Sequence, residues 1–262
     1  MKTIRDFAAA KVAGRKIAMV TAYDAGMARL LADTPVDCVL VGDSVMMVVH
    51  GEADTLGATP ELMVLHTKAV ARGAPDKFIV ADMPFLAARK GRAHALDCAA
   101  ALLRAGASAV KIEGVRGHAD VIAHLVESGI PVMGHLGLLP QSVHATGGFR
   151  VQAKQAEAAA QLREDAAALV AAGAFAVVLE CIPAKLAAEL TASLPIPTIG
   201  IGAGAKCDGQ VLVWHDFLGL NPGFKPRFVR RFADGEKTLR SGLTRYAEAV
   251  HGGKFPAARE SF

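Results

Sequence analysis

Five apolar runs in this chain stop at a residue that can bind a cation or move a proton. Val39-Leu-Val41 leads into Gly42-Asp43-Ser44, and Phe78-Ile-Val-Ala81 into Asp82-Met-Pro84. Ala109-Val-Lys111-Ile112 leads into Glu113-Gly114, Pro131-Val-Met-Gly134 into His135-Leu-Gly137, and Ala176-Val-Val-Leu179 into Glu180-Cys181. If the runs are neighbouring strands, Asp43, Asp82 and Glu113 must approach one another. Three carboxylates in a partly buried place repel, and desolvation penalises their charged forms. A divalent cation resolves the conflict. An all-oxygen ligand set suits a hard ion such as Mg²⁺ and argues against structural zinc. Such an ion, with open positions, chelates a 2-oxo acid and acidifies the C–H beside its ketone. Lys111 can then neutralise the substrate carboxylate or the developing enolate oxygen, and Glu180 can take the proton.

Each residue also has a plainer reading. Asp43 or Ser44 can cap a following helix. Lys111 stands two residues before Glu113, on the same side of a strand, so the two can form an ordinary ion pair. His135 can be a hydrogen-bonded structural histidine. Packing alone does not account for five consecutive strand ends of this kind.

The elements that carry these residues alternate. Short β-branched runs span Ile17–Thr21, Cys38–Val41, Phe78–Ala81, Ala109–Ile112, Pro131–Gly134, Ala176–Leu179 and Pro197–Ile201, with a weaker eighth at Arg227–Phe232. Ala/Leu-rich stretches lie between them, clearest at Leu96–Arg104 and Ala153–Ala172. Two joints nearly repeat, Leu103-Arg-Ala-Gly-Ala-Ser-Ala-Val-Lys-Ile112 and Val170-Ala-Ala-Gly-Ala-Phe-Ala-Val-Val-Leu179. In each, glycine suits a left-handed helix stop. Continuous apolar strands alternating with helices predict a parallel sheet covered on both faces. This number of units in 262 residues predicts a single (βα)8 TIM barrel domain over 1–262, with a helical tail from about 233. An open doubly wound sheet is the alternative. In a barrel the five strand ends share the C-terminal mouth, where barrel active sites lie.

Composition narrows the function classes. Hydrophobic residues make up 52% of the chain, enough for a sizeable core. The formal charge of +4 is spread along the chain, apart from Arg227-Phe-Val-Arg-Arg231, so neither nucleic acid nor membrane is an expected partner. Cys38, Cys98, Cys181 and Cys207 show no C-x-x-C spacing and read as reduced thiols of a cytoplasmic protein. Lys11 and Arg15 interrupt the first Ala-rich stretch, so no signal peptide is expected. The glycines of Gly200-Ile-Gly-Ala-Gly204 suit tight turns or a phosphate site; the loop His144–Arg150 suits a lid or a long crossover. Cys181 beside Glu180 is a poor nucleophile, because the carboxylate disfavours the thiolate.

The longer motifs resemble the ketopantoate hydroxymethyltransferase family. They are Val41-Gly-Asp-Ser44, Thr59-Pro-Glu-Leu-Met63 with His66-Thr-Lys-Ala-Val70, Ala81-Asp-Met-Pro-Phe85, Ala109–Gly114, Gly129–Leu138, Thr146–Gln152, Glu180-Cys-Ile-Pro183, Thr198–Gly204, Cys207–Val213 and His215–Gly219. The resemblance runs from about Thr3 to Tyr246. It implies a (βα)8 barrel of the phosphoenolpyruvate/pyruvate type, a cytoplasmic homodecamer, Mg²⁺, and 5,10-methylenetetrahydrofolate as co-substrate. The implied reaction carries a hydroxymethyl group to 3-methyl-2-oxobutanoate and gives 2-dehydropantoate, on the route to pantothenate and coenzyme A. By the same resemblance Asp43, Asp82 and Glu113 form the metal group. Asp43, Ser44, Asp82 and Lys111 contact the keto acid, His135 lies close to it, and Glu180 accepts the proton.

Two places depart from the family's pattern. After Gly-Asp-Ser the family commonly has Leu or Val, then Gly, then Met; here Val45-Met46-Met47 puts Met in the glycine's place. Where the family shows His-Asp-Ser-Thr-Leu-Pro-Val-Thr, this chain has Glu52-Ala-Asp-Thr-Leu-Gly-Ala-Thr59, with Gly57 for Pro. Two other readings stay beside the transferase: a Mg²⁺-dependent C–C lyase of another 2-oxo acid, and a barrel kept for binding or assembly after losing catalysis.

Overall fold

Eight short strands run parallel and close on themselves in chain order. They are β1 (Ile17–Thr21), β2 (Cys38–Val41), β3 (Phe78–Asp82), β4 (Ala109–Glu113), β5 (Val132–Gly137), β6 (Ala176–Glu180), β7 (Thr198–Ile201) and β8 (Gly209–Leu212). The computed structural model describes residues 2–262, without the side chain of Thr146. The chain forms two compact units, one ending at Val213 and holding the barrel, the other running from Trp214 to Phe262.

The strands are buried on both faces, as continuous apolar runs require: β2, β3 and β4 are buried at every position. Helices α1 (Ile4–Val12), α2 (Ala25–Ala32), α3 (Val45–Val48), α4 (Pro60–Gly73), α5 (Arg92–Arg104), α6 (Ala119–Glu127), α7 (Val143–Thr146), α8 (Ala156–Ala171) and α9 (Ala184–Ser193) connect them or precede β1. The barrel's interior holds Met19, Leu40, Val80, Met133, Val178, Ile199 and Val211. Helix α1 adds Phe7, whose ring packs edge-to-face on Phe78 at 5.0 Å and Phe175 at 5.2 Å.

The two repeated joints behave as their glycines predict. Gly106 and Gly173 have φ of +109° and +85°, and a Cβ on either would collide with Ala71 or Val126. The eighth strand is a correction. Residues 227–232 form no strand; β8 is Gly209–Leu212, which pairs with β1 and β7. Gly209 permits that pairing because a Cβ there would stand 2.6 Å from the Ile17 carbonyl oxygen. Phe228 and Val229 are too few apolar residues among flanking arginines to enter a core, and the Arg230 guanidinium covers the Phe232 ring at 4.3 Å.

In the second unit, α10 (Trp214–Phe217) is followed by α11 (Gly235–His251). Among the described residues, no helix is long and apolar enough to cross a membrane.

Candidate active site

The acids stand closer to the barrel than expected: Asp82, Glu113 and Glu180 are the last residues of β3, β4 and β6. Asp43 follows β2 by one turn residue, Gly42, where a Cβ would stand 2.7 Å from Ser44 Oγ. Asp43, Asp82, Lys111, Glu113 and His135 are all buried, and the Glu180 side chain is about four-fifths so, at 16% exposed.

These side chains form one continuous cluster. The Asp43 N–H donates to Asp82 Oδ2 at 3.0 Å. Lys111 Nζ lies 3.0 Å from Asp82 Oδ1, an ion pair off hydrogen-bond alignment. Lys111 Nζ is also 3.1 Å from His135 Nδ1. His135 lies between two carboxylates, with Nδ1 3.4 Å from Glu113 Oε1 and Nε2 3.2 Å from Glu180 Oε2. Ser44 Oγ shares a hydrogen bond of 2.8 Å with Tyr23 Oη.

The plainer readings resolve as follows. Ser44 precedes α3 but makes no side-chain cap bond. Lys111 makes its ion pair with Asp82 rather than with Glu113, because parallel register sets Asp82 directly opposite Lys111. Gly202 and Gly204 are left-handed, at +64° and +86°, and Gln210 Nε2 donates to the Gly204 carbonyl at 2.9 Å. Burial, then the Glu180 charge, push the Cys181 thiol up to about 11, as expected of a poor nucleophile. In the loop after β5, His144 Nε2 stands 3.7 Å from Asp54 Oδ2; the Thr146 side chain of that motif lies outside the described residues.

Electrostatics separates the carboxylates. Burial first, then Asp82 and Glu113, push Asp43 well above the usual carboxylate range. Burial also raises Asp82, against the pull of Lys111 and the Asp43 N–H. Glu113 goes down: burial raises it, but His135, Lys111 and the Gln141 N–H together outweigh that. Burial and Lys111 oppose a charge on His135, yet the close Glu113 and Glu180 carboxylates prevail and bring it to about 9. Lys111 is raised despite burial by Asp82, Glu113 and Asp43.

Two residues of the cluster were missed by sequence reasoning. Tyr23 follows β1 and meets Ser44; the polar run Tyr23-Asp24 at that strand end was its signal. Gln141 occupies a 3-10 turn, Pro140–Ser142, after β5 and bonds both Asp43 and Glu113. Nothing in the local pattern Leu139-Pro-Gln-Ser142 announces it.

The site suits a hard cation. Asp82 Oδ1 and Glu113 Oε1 are buried without an aligned hydrogen bond, and carboxylates outnumber the cations that face them. Among the described residues, no group of three or more His, Cys, Asp or Glu side chains is placed to hold a metal ion. Mg²⁺ does not need one, since it keeps waters and substrate oxygens beside one or two carboxylates. Glu180 lies across His135 from this group.

Comparison with known proteins agrees in fold and family. The chain resembles phosphonopyruvate hydrolase, solved with oxalate and Mg²⁺, with a TM-score of 0.63 over 99% of this chain and 93% of that one at 13% identity. It also resembles 2,3-dimethylmalate lyase of the PEP mutase/isocitrate lyase superfamily, with a TM-score of 0.60 over 100% and 92% at 15% identity. At such identities the likeness establishes the barrel type alone. The model of the family described as ketopantoate hydroxymethyltransferase matches residues 1–258. A 3-methyl-2-oxobutanoate hydroxymethyltransferase of Bdellovibrio bacteriovorus is 52% identical over all of both chains. One of Legionella pneumophila, with the same name, is 50% identical over 99% of each. Shared fold alone would leave the chemistry open; half of all positions shared from end to end does not, and the chain belongs to the ketopantoate hydroxymethyltransferase family.

Proposed function

We propose that this protein transfers a hydroxymethyl group from 5,10-methylenetetrahydrofolate to 3-methyl-2-oxobutanoate, giving 2-dehydropantoate for pantothenate synthesis. One observation carries the mechanism: Glu180 Oε2 sits 3.2 Å from His135 Nε2, at the edge of a buried cluster with more carboxylate than cation. Asp43, Asp82 and Glu113 would hold Mg²⁺, one or two of them directly and the rest through water, and the ion would supply Lewis-acid chemistry to the 2-oxo acid. Lys111, already beside Asp82, places a fixed positive charge where enolate charge develops. Ser44, oriented by Tyr23, offers a hydroxyl to the keto acid. Glu180 takes the proton from C3, and His135 holds that carboxylate in place. Water adds to the methylene carbon of methylenetetrahydrofolate and its two C–N bonds break, which releases tetrahydrofolate and a formaldehyde equivalent; the C3 carbanion equivalent then bonds to that carbon, and its carbonyl oxygen takes the proton back from Glu180 to become the hydroxyl. We read the protein as cytoplasmic and homo-oligomeric, a homodecamer by family resemblance.

The test is exchange in D₂O. With 3-methyl-2-oxobutanoate and Mg²⁺, the C3 proton should disappear from the NMR spectrum, and methylenetetrahydrofolate should then give 2-dehydropantoate. Absence of metal-dependent exchange sinks the enolisation step. Exchange without 2-dehydropantoate moves the reading to a lyase of another 2-oxo acid.

A further inference from the structure

Gln141 carries no charge and ends no strand, yet it ties the cluster together. Its backbone N–H donates to Glu113 Oε2 at 3.0 Å. Its side-chain Nε2 donates to Asp43 Oδ2 at 2.7 Å and to the Met83 carbonyl at 3.0 Å. One residue of the turn after β5 thereby spans the ends of β2, β3 and β4. The chemistry of the donor matters. A lysine or arginine in this place would cancel the negative charge that a cation needs. An amide fixes a carboxylate's position and leaves it anionic. Each bond also takes a single oxygen: Glu113 Oε1 stays without an aligned donor while Oε2 is held.

We propose that Gln141 is the positioning residue of the metal group, a neutral crossbar that sets the separation and rotation of Asp43 and Glu113 for one divalent cation. This inference rests on the Mg²⁺ reading above. Ligating carboxylates are themselves hydrogen-bonded, and loss of such a partner typically weakens metal binding roughly 10–100-fold.

The experiment is titration calorimetry of Mg²⁺ into the full-length protein and three variants, with thermal melts alongside. Gln141→Ala should weaken Mg²⁺ binding by roughly 10–100-fold, with only a small change in melting temperature because Gln141 is half-buried. Gln141→Asn keeps the backbone donor but is one methylene too short for Asp43, and should fall between Ala and wild type. Gln141→Lys keeps the reach and a donor, so a merely structural tether would be restored; here Mg²⁺ affinity should fall as well. If Gln141→Ala does not fold, Asn and Lys carry the test. Wild-type affinity within twofold in the folded variants overturns the inference and leaves the Mg²⁺ reading standing. A wild-type protein that binds no Mg²⁺ overturns both.

Discussion

The two ends of the same strands are built from similar residues and reach opposite balances. At the N-terminal end, Asp208 Oδ2 accepts from Lys11 Nζ at 2.8 Å, from the Thr198 N–H at 2.9 Å and from Thr198 Oγ1 at 3.3 Å. Lys11 also donates to the Thr191 carbonyl, and Thr198 Oγ1 accepts from the Asp208 N–H. One acid meets one cation and a full set of donors. At the mouth, Asp43, Asp82, Glu113 and Glu180 face Lys111 and His135, and buried oxygens are left without aligned donors. The lower end is a finished clamp that joins α1 to the starts of β7 and β8. The mouth holds more carboxylates than cations, and such an arrangement makes physical sense where a ligand completes it. Function is therefore read from the imbalance rather than from the mere presence of acids.

Mutations at the two ends should separate accordingly. The largest effect is expected at Glu180. Glu180→Gln keeps the shape and removes the base, so metal-dependent C3 exchange should slow by roughly 10²–10⁴-fold while keto-acid binding is nearly kept. Lost binding with normal exchange would refute that role. Next comes Lys111→Ala, which strips the buried carboxylates of their ion-pair partner and should cost roughly 3–5 kcal/mol of metal-free stability by denaturant melts. At the lower end, Asp208→Ala should cost roughly 1–3 kcal/mol through unsatisfied donors and leave Mg²⁺ affinity unchanged. If Asp208→Ala changes Mg²⁺ affinity, the two ends are not independent and the comparison fails.

Proton linkage offers a subtler contrast. His135 is raised from 6.5 to about 9 in the folded chain. A folded-state value above the unfolded one means that the folded protein holds the extra proton between them. The stabilisation is complete below about pH 6.5 and lost as pH rises through about 9. The melting temperature of the metal-free protein should therefore fall across that window. A flat profile would mean a neutral imidazole whose Nδ1 accepts from Lys111 across the 3.1 Å contact.

What was legible in the sequence follows from which signals are local. β2 to β7 announce themselves as short runs rich in apolar residues, and Asp82, Glu113 and Glu180 are visible because each ends one. β8 was not legible, since Gly209-Gln210 begins it and Gln210 is exposed; its place is decided by Gly209 passing close to β1. The plainer reading of Lys111, a pair with Glu113, gives way for a similar reason. Spacing along one strand suggested Glu113, while pairing between strands supplies Asp82. Gln141 reaches Asp43, distant in sequence, by the return of a loop, and no periodicity encodes such a return.

The smallest effect concerns the loop after β2, where the chain departs from its family's pattern at Met46 and Gly57. The two departures meet in space. A Cβ on residue 57 would stand 3.0 Å from Met46 Cε, tight enough that one side must yield. Met46 is buried in α3, immediately after Asp43 and Ser44, and its methyl lies in the room that Gly57 leaves. The small residue at 57 thus offsets part of the bulk added at 46, and swaps that keep volume are the best tolerated in a packed place. A double-mutant cycle on Met46→Ala and Gly57→Ala should give a coupling of about 0.5–3 kcal/mol, because alanine at 57 is strained only while Met46 is present. Independent, additive effects would mean that the contact carries no energy. In that case the loop's departures would be separate substitutions and not one repacking beside the mouth.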